Sequence, residues 1–191
     1  MALRKIATIG HPVLRELARA LTLDELASPA TQALIDDMIE TMRDANGAGI
    51  AANQVYAPVQ ICVICVENNP RYPYKPNFPL TVLVNPVVEA LTTETFRNFE
   101  GCLSVPNLRG EVERFTQVRV RALDRNGGPL DFDVKGLTAG TFQHELDHLR
   151  GKLFVDRVTD TTTLCTLSEF ERHFQAGFVE RAKALVAKYG S

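Results

Sequence analysis

The pentapeptide His144-Glu145-Leu146-Asp147-His148 is the sequence feature that most constrains the fold. On a helix, side chains four residues apart lie on one face, so both imidazoles can converge on one metal ion with Glu145 beside them. A carboxylate next to a borderline-soft cation is typical of metal-assisted hydrolysis. The fold must therefore carry this helix face to a further ligand. The alternative is a chance spacing of two of the chain's four histidines on a solvated helix.

A third protein ligand is expected, because a catalytic centre of this kind usually holds three protein groups and leaves one position for water or substrate. The next histidine after His148 is His173, far along the chain. Asp156 follows a glycine and an apolar run that indicate the end of the helix. A cysteine is therefore the better candidate.

The four cysteines differ in their surroundings. Cys62 and Cys65 fall in a β-branched run that predicts a buried strand, where an offset of three points them to opposite faces. A redox or zinc half-site is disfavoured for this pair, since such motifs need a turn or helix start, so core thiols are predicted. Cys165 is interpreted as a small buried hydrophobe. Cys102 lies in a segment bracketed by glycine and proline, which predicts an irregular loop, and it is our third candidate ligand.

The stretch 47–54 reads Gly-Ala-Gly-Ile-Ala-Ala-Asn-Gln. Small residues allow a backbone to approach another group closely. Taken alone, the stretch favours a tight turn from helix to strand with glycines in left-handed conformations. A phosphate-binding loop is disfavoured because neither a third spaced glycine nor Gly-Lys-Ser/Thr follows. Gln54 ends the stretch as a neutral amide donor.

Three motifs in order, Gly-Ala-Gly-Ile-Ala-Ala-Asn-Gln (47–54), Glu-Gly-Cys-Leu-Ser (100–104) and Gln-His-Glu-Leu-Asp-His (143–148), resemble the signature motifs of the peptide deformylases. The likeness extends to residues 6–14, 83–86 and 151–157, and so covers most of residues 4–158. Each motif alone is weakly specific, whereas three in this order and at these separations are strongly specific.

The resemblance implies a role for each matching residue. Cys102, His144 and His148 would hold the metal, and Glu145 would be the general base that takes the proton of the attacking water. The Gln54 side chain and the backbone N–H of Leu103 would donate to the formyl oxygen as it becomes negative. The implied reaction removes the N-formyl group from newly synthesised peptides and releases formate. The implied metal is Fe²⁺, with Zn²⁺, Ni²⁺ or Co²⁺ as other possible occupants.

The implied partners are nascent formyl-Met peptides, bound as an added strand because their sequences vary after the first residue. Gly49 matches the position that pairs with substrate backbone. The methionine pocket would be built from Ala48, Glu100, Leu137 and Thr141, with the His144 ring in its wall.

Three further features of the chain bear on this pocket. An ion pair between Glu100 and Arg109 is predicted to brace the Cys102 segment, and the alternative is an exposed pair of little energetic weight. Gly140, around which many relatives carry larger or basic side chains, would enlarge the pocket or give room to the peptide. The proline-rich segment 67–79 either rims the cleft or has no role there.

Length and composition predict one catalytic domain over residues 1–191, with a helical tail over 165–191. The chain has 191 residues, of which 45% are hydrophobic and 23% charged, enough for a sizeable core. A net charge of −2 argues against a surface for nucleic acid, so direct DNA binding is not expected. No apolar run of membrane-spanning length and no apolar leader is found, so a cytoplasmic protein with reduced cysteines and no membrane contact is expected.

The predicted fold class is α+β, with mixed or antiparallel sheets around a central metal-binding helix, an N-terminal helix and a C-terminal helix. A helix is predicted at 31–43 and the motif helix at 138–150, with Thr138 as N-cap and Gly151 as its stop. A third helical segment is predicted at 163–189, interrupted at Gly177. The predicted strands span 60–67, 81–88, 115–124 and 130–135, with a hairpin turn at Asn126.

The tail carries four basic residues that are compatible with ribosome contact, as a C-terminal helix makes in bacterial relatives: Arg172, Arg181, Lys183 and Lys188. A helix that packs on its own domain with a solvated charged face is an equally good interpretation. Two other functions are considered. One is a metallopeptidase that cleaves backbone amides, against which the Gln54 and Cys102 motifs argue. The other is a non-catalytic metal-binding protein, against which Glu145 argues.

Overall fold

The computed structural model describes residues 2–69 and 72–191. Within these residues the helices are α1 (Leu23–Ala27), α2 (Pro29–Asp44), α3 (Gly136–Leu149), α4 (Leu167–His173) and α5 (Gln175–Tyr189). The strands are β1 (Gly49–Ala51), β2 (Ile61–Val66), β3 (Phe78–Ala90), β4 (Thr95–Cys102), β5 (Val105–Phe115), β6 (Gln117–Leu123), β7 (Pro129–Lys135) and β8 (Cys165–Thr166).

The strands form two antiparallel sheets, which confirms the predicted α+β class with antiparallel sheets. One sheet has the order β1-β2-β3-β6-β7 and the other β4-β5-β8. All strand pairs in both sheets are antiparallel. The strand orders place β1 and β4 each at the edge of a sheet.

The larger sheet lies between two helices, and β2 shows how the sequence specifies this. Every residue of β2 is buried, as expected for a strand covered on both faces. Ile61, Val63 and Cys65 belong to the hydrophobic cluster with α2, whereas Cys62 and Ile64 belong to the cluster with α3. The prediction that the two cysteines are core thiols on opposite faces is confirmed.

Helix α2 covers one face of this sheet and closely matches its predicted span. Ser28 caps the N-terminus by accepting from the Thr31 N–H at 3.2 Å, and Pro29 occupies the first turn, where its missing N–H costs nothing. Its buried side chains recur at helical spacing: Ile35, Met38, Ile39 and Met42. The chain leaves the helix through Asn46, whose φ is 50°.

Helix α3 covers the other face. Ala139, Phe142, Leu146 and Leu149 pack on the sheet, and each fully buried side chain of the larger type stabilises the fold by about 1.5–3 kcal/mol. The opposite stripe of the helix, which carries the histidines of the motif, is thereby turned away from this sheet.

The predicted C-terminal end of α3 was confirmed, whereas its predicted N-cap was wrong. Gly151 has a φ of 68° and terminates the helix as predicted. The prediction of Thr138 as N-cap was wrong, because the helix begins at Gly136 with Lys135 as N-cap. The start of the helix is satisfied from the tail instead, since the Leu137 N–H donates to the Ser191 carbonyl at 3.2 Å.

The predicted irregular loop around Cys102 was wrong. Cys102 ends β4, and only Leu103 and Ser104 separate β4 from β5. In this hairpin many inward-facing side chains are polar, including Asn98, Glu100 and Arg114. The hydrophobic alternation that identifies a half-buried strand is therefore absent from the sequence.

The tail forms α4 and α5, which are separated at Phe174. The predicted interruption at Gly177 was wrong, because Gly177 lies inside α5. Phe170 and Phe178 pack against Phe99 of β4, with ring centroids 5.2 and 5.9 Å from that ring. The tail thus covers the outer side of β4.

Among the described residues, no helix combines the length and apolar character needed to cross a membrane.

Candidate active site

A pocket lies between the two sheet edges formed by β1 and β4. Residues 47–49 line one side and residues 98–103 the other, while Gln54 also contributes. Helix α3 closes the pocket with Gly140, Thr141, His144 and Glu145. The arrangement offers two strand edges to an extended ligand.

The three predicted ligands come together in this pocket. The Cys102 Sγ and a ring nitrogen of each of His144 and His148 all lie within 4.8 Å of one another. The Cys102 Sγ is 3.2 Å from the His148 Nε2. Cys102 reaches this point from the end of β4, and the histidines reach it from adjacent turns of α3.

The surroundings favour a thiolate at Cys102. Burial raises the pKa of the thiol, but His148 and His144 outweigh burial and hold the pKa well below its ordinary value. The Ser104 N–H donates to the sulfur at 3.3 Å, and the Gln54 Nε2 lies 3.6 Å from it.

The residues present fit a divalent metal ion. One thiolate and two imidazoles form a donor set that suits zinc and first-row transition metals. Within the described part of the chain, the buried Glu145 Oε2 and His148 Nδ1 have no hydrogen-bond partner. Buried polar atoms are rarely left unpaired in proteins, so Glu145 Oε2 is available to a water or substrate group.

Glu100 fixes the orientation of His144. The Glu100 Oε2 lies 2.8 Å from the His144 Nδ1, which leaves the other ring nitrogen for the pocket. Burial raises the pKa of Glu100, but Arg114 and His144 outweigh burial and keep the pKa below its ordinary value. The prediction that Glu100 pairs with Arg109 was wrong, since its cation is Arg114, whose Nε lies 2.8 Å from Oε1. The Arg109 guanidinium lies over Gly101, where a side chain would collide with it.

Arg114 was missed by sequence reasoning because its strand was missed. Its Nη1 donates to the Asp147 Oδ2 at 2.6 Å, and the Arg157 Nη2 donates to the Asp147 Oδ1 at 2.6 Å. The Arg114–Asp147 pair therefore ties β5 to the helix that carries both histidines, through two side chains that are almost fully buried. Had β5 been predicted, an arginine on its buried face would have indicated a buried ion pair.

Glu145 is 4% exposed and lies against β1. Burial raises its pKa, while His144 and His148 lower it, and the net shift is upward. The approach to β1 needs a glycine, because a Cβ at Gly49 would lie 2.7 Å from the Glu145 Cδ. The predicted left-handed conformation of the glycines here was wrong, since the left-handed residues flanking the stretch are Asn46 and Tyr56. The small residues of 47–54 instead allow the backbone of β1 to approach Glu145 closely.

Gln54 and Leu103 are both neighbours of Cys102. The Gln54 Oε1 accepts from the Ala51 N–H at 2.8 Å, and the Nε2 donates to the Ser104 Oγ at 3.0 Å. These bonds turn the amide donors toward the thiol. Leu103 occupies the turn between β4 and β5 and lines the pocket.

The predicted substrate pocket is partly assembled. Ala48, Glu100 and Thr141 line the pocket together with Gly49. Leu137 does not line it and packs instead with the aromatic side chains of α4 and α5.

Gly140, which we expected to give room, lines the pocket, and a Cβ at this position would lie 3.1 Å from the Phe96 Cζ. Of the proline-rich segment 67–79, Pro70 and Arg71 lie outside the described residues. Tyr72, Tyr74 and Lys75 line the pocket, so this segment does rim the cleft.

Comparisons with known proteins agree on one family. Residues 3–163 match the model of the polypeptide deformylase family. Peptide deformylase 1 of Nitrosomonas europaea is 40% identical over 158 residues, which cover 83% of this chain and 89% of that protein. Peptide deformylase 1 of Prochlorococcus marinus is 35% identical over 98% of this chain and 96% of its own length.

Solved structures are similar as well. A Met-Ala-Ser-bound class I type b peptide deformylase from Acinetobacter baumannii has a TM-score of 0.79 and 39% identity, covering 82% of this chain and 99% of that one. An actinonin-bound peptide deformylase from Synechococcus elongatus has a TM-score of 0.72 and 35% identity, covering 93% and 87%. With matches of this extent in both sequence and structure, the chain belongs to the polypeptide deformylase family.

Proposed function

We propose that this pocket hydrolyses the formamide of N-formylmethionyl peptides, with Cys102, His144 and His148 holding the metal and Glu145 acting as general base. The observation that carries the proposal is the convergence of three metal-binding side chains beside a buried carboxylate with an unpartnered oxygen. Membership of the deformylase family favours this reaction over internal peptide cleavage.

A divalent cation at these ligands would lower the pKa of a water and polarise the formyl carbonyl. We propose Fe²⁺ as the working metal, because the resemblance of the motifs implies it; Zn²⁺, Ni²⁺ and Co²⁺ suit the same donors.

Glu145 would handle the protons of the reaction. Its carboxylate takes a proton from the attacking water and then returns it to the departing amine. Burial in the pocket raises the pKa of this carboxyl group above its ordinary value, as is common for catalytic acids and bases.

Gln54 and the Leu103 backbone N–H would stabilise the negative formyl oxygen that develops during attack. The Gln54 amide is held by Ala51 and Ser104, so its orientation is fixed, and the Nε2 donor that faces the Cys102 Sγ is the one that would turn to the formyl oxygen. Such preorganised donors typically contribute about 10²–10³-fold to the rate each.

The substrate would lie extended between β1 and β4. Gly49 would pair with its backbone, which explains acceptance of varied sequences. Ala48, Glu100 and Thr141 would contact the methionine side chain, and Leu137 would support Thr141 from behind, one helical turn earlier. The Met-Ala-Ser complex of the Acinetobacter baumannii relative supports this class of ligand.

The test is formate release from formyl-Met-Ala-Ser by protein purified without air and loaded with Fe²⁺ or Zn²⁺. Glu145→Gln should lower kcat by about 10²–10⁴-fold, the usual contribution of a general base, with the metal content unchanged. Glu180→Gln, an exposed position on α5, is the matched control and should retain full activity. Internal cleavage of the peptide without formate would contradict the proposal.

We propose that residues 1–191 act as a single catalytic domain in the cytoplasm, where nascent chains are made. The four cysteines are free thiols, which agrees with a reducing compartment.

Ribosome contact through the C-terminal helix stays a prediction. The basic residues of the tail each pair with a carboxylate of the same chain, Arg172 with Glu169, Arg181 with Glu111, Lys183 with Glu180 and Lys188 with Glu94. Contact with ribosomal RNA must therefore exchange these partners for phosphates. Charge reversal at Arg172 and Lys183 should weaken co-sedimentation with ribosomes if the contact exists, and unchanged co-sedimentation would remove the hypothesis.

A further inference from the structure

Lys75 holds a positive charge at the wall of the pocket, in the segment between β2 and β3. Its Nζ donates to the Thr141 Oγ1 at 2.9 Å and lies 4.8 Å from the centroid of the Tyr72 ring. The Thr141 hydroxyl donates in turn to the Leu137 carbonyl at 3.2 Å. The ammonium is therefore placed at a defined point beside α3, one turn before the histidines.

The wall is supported from behind by the tail. The Tyr74 ring packs edge-on against Phe178 of α5 at a centroid distance of 5.2 Å, and against Tyr72 at 6.3 Å. Aromatic contacts of this geometry stabilise a segment by about 0.5–1.5 kcal/mol each beyond the burial of area. Lys75 thus projects from a braced segment and is itself only half-buried, with its Nζ held beside Thr141 in the pocket wall.

An extended peptide presents alternate side chains to the same side, with a repeat of about 7 Å. In the binding mode proposed above, the first side chain enters the pocket next to Thr141. The second side chain then points away, and the third returns to the side where Lys75 lies. A charged third side chain, one repeat beyond the first, would therefore approach the ammonium that Thr141 holds.

We propose that Lys75 is a specificity-determining residue that favours formylmethionyl peptides with an acidic third residue over those with a basic one. This inference rests on the proposed function, whose strand-like binding mode it uses. Attraction of one charge and repulsion of the other combine to a preference of about fivefold at low salt, as expected for half-exposed charge pairs.

The experiment compares kcat/KM for formyl-Met-Ala-Asp and formyl-Met-Ala-Lys, each with an amidated C-terminus so that only the third side chain changes the charge. The wild type should prefer the aspartate peptide, and the preference should shrink at about 0.5 M salt because charges near the surface are screened. Lys75→Met, which keeps an unbranched side chain, should abolish the preference, and Lys75→Arg should retain it. Lys183→Met on α5 removes an exposed lysine elsewhere and should leave the ratio unchanged.

The outcomes separate the two proposals. Absence of formate from every peptide with the wild type would reject the proposed function itself. Formate from both peptides at equal rates, or a ratio that Lys75→Met or salt leaves unmoved, would reject the role of Lys75 alone. A preference for aspartate at the second residue, measured with formyl-Met-Asp-Ala amide, would also overturn the assignment to the third. If Lys75→Met does not fold, Lys75→Gln, which keeps a donor for Thr141 but carries no charge, takes its place and should likewise abolish the preference.

Discussion

At Gly49 a single missing carbon atom determines where the carboxylate of Glu145 can lie. The two residues come from β1 and α3, and the backbone of β1 runs so close to the carboxylate that a Cβ would lie 2.7 Å from Cδ and 2.8 Å from Cγ of Glu145. Gly49 does not have a left-handed φ, so the requirement is for space and not for an unusual backbone conformation.

Gly49→Ala should therefore displace Glu145 while leaving the backbone of β1 unstrained. A displacement of about 1 Å in a catalytic group can cost about 10²-fold in rate, so we expect kcat to fall by that order with the metal content unchanged. Steady-state formate release and metal analysis check this.

Gly177→Ala is the matched control, because a Cβ at this position in α5 meets nothing within 4 Å. It should keep full activity and stabilise the protein slightly, since alanine is a better helix former than glycine by about 1 kcal/mol. Equal activity of both alanine variants would contradict the spatial role of Gly49.

The residues of the site were predictable where their chemistry is local. The helical spacing of His144, Glu145 and His148 identifies them as a metal site with a base. The resemblance to the deformylase motifs gave the roles of Gln54 and Leu103. Arg114 could not be found in this way, because its importance depends on Glu100 and Asp147, residues 14 and 33 positions distant.

At the level of elements, the β4–β5 hairpin carries a polar core toward α3. Arg114 on β5 pairs with Glu100 on β4 and with Asp147 on α3, and all three side chains are 5% exposed or less. Burial is costly for such charges unless each has a partner. The network consequently makes the hairpin and the helix depend on each other.

Arg114→Met should leave Glu100 and Asp147 without their shared cation. Breaking a buried ion pair from one side destabilises a protein by about 3–5 kcal/mol. We expect the free energy of unfolding, measured with urea, to fall by that amount. Metal affinity should also fall, because Arg114 no longer holds Glu100 against His144.

The same change at Arg119 serves as the control. Arg119 of β6 pairs with Asp131 of β7, and both side chains are at least 40% exposed. Arg119→Met should cost about 0–1 kcal/mol, as expected of a surface ion pair. A loss at Arg114 no larger than that at Arg119 would show that the buried network contributes little.

The elements of the larger sheet and α2 were predictable because their patterns are local. Apolar residues recur at helical spacing in α2, and β2 is a continuous β-branched run. The hairpin was not predictable from alternation, because several side chains on its inner face are polar or charged instead of apolar. The break at Phe174 was also missed, since it depends on how Phe170 and Phe178 share the surface of Phe99.

At the scale of the whole molecule, the tail formed by α4 and α5 packs against residues that line the pocket. The family model ends at residue 163, and α4 and α5 follow it. Phe178 of α5 is 3% exposed and touches Tyr74 and Phe99, both of which line the pocket. The tail is therefore a support for the substrate pocket, whatever else it contacts.

Phe178→Ala should destabilise the protein and loosen the pocket at once. Truncation of a buried phenylalanine costs about 3–5 kcal/mol, and the loss should be visible in urea unfolding. Since Tyr74 and Phe99 lose their support while the metal ligands and Glu145 keep theirs, KM for formyl-Met-Ala-Ser should rise more than kcat falls.

Phe174→Ala separates this role from a general loss of aromatic contacts. Phe174 also stacks on Phe99, with centroids 5.7 Å apart, but it is 42% exposed. Its truncation should cost about 1 kcal/mol and leave KM close to the wild-type value, because Tyr74 keeps its contact with Phe178. If Phe178→Ala lowers stability without changing KM, the tail stabilises the fold but does not shape the pocket. The position of Lys75 would then be set by its own contacts with Thr141 and Tyr72, and the specificity assigned to it should survive the loss of Phe178.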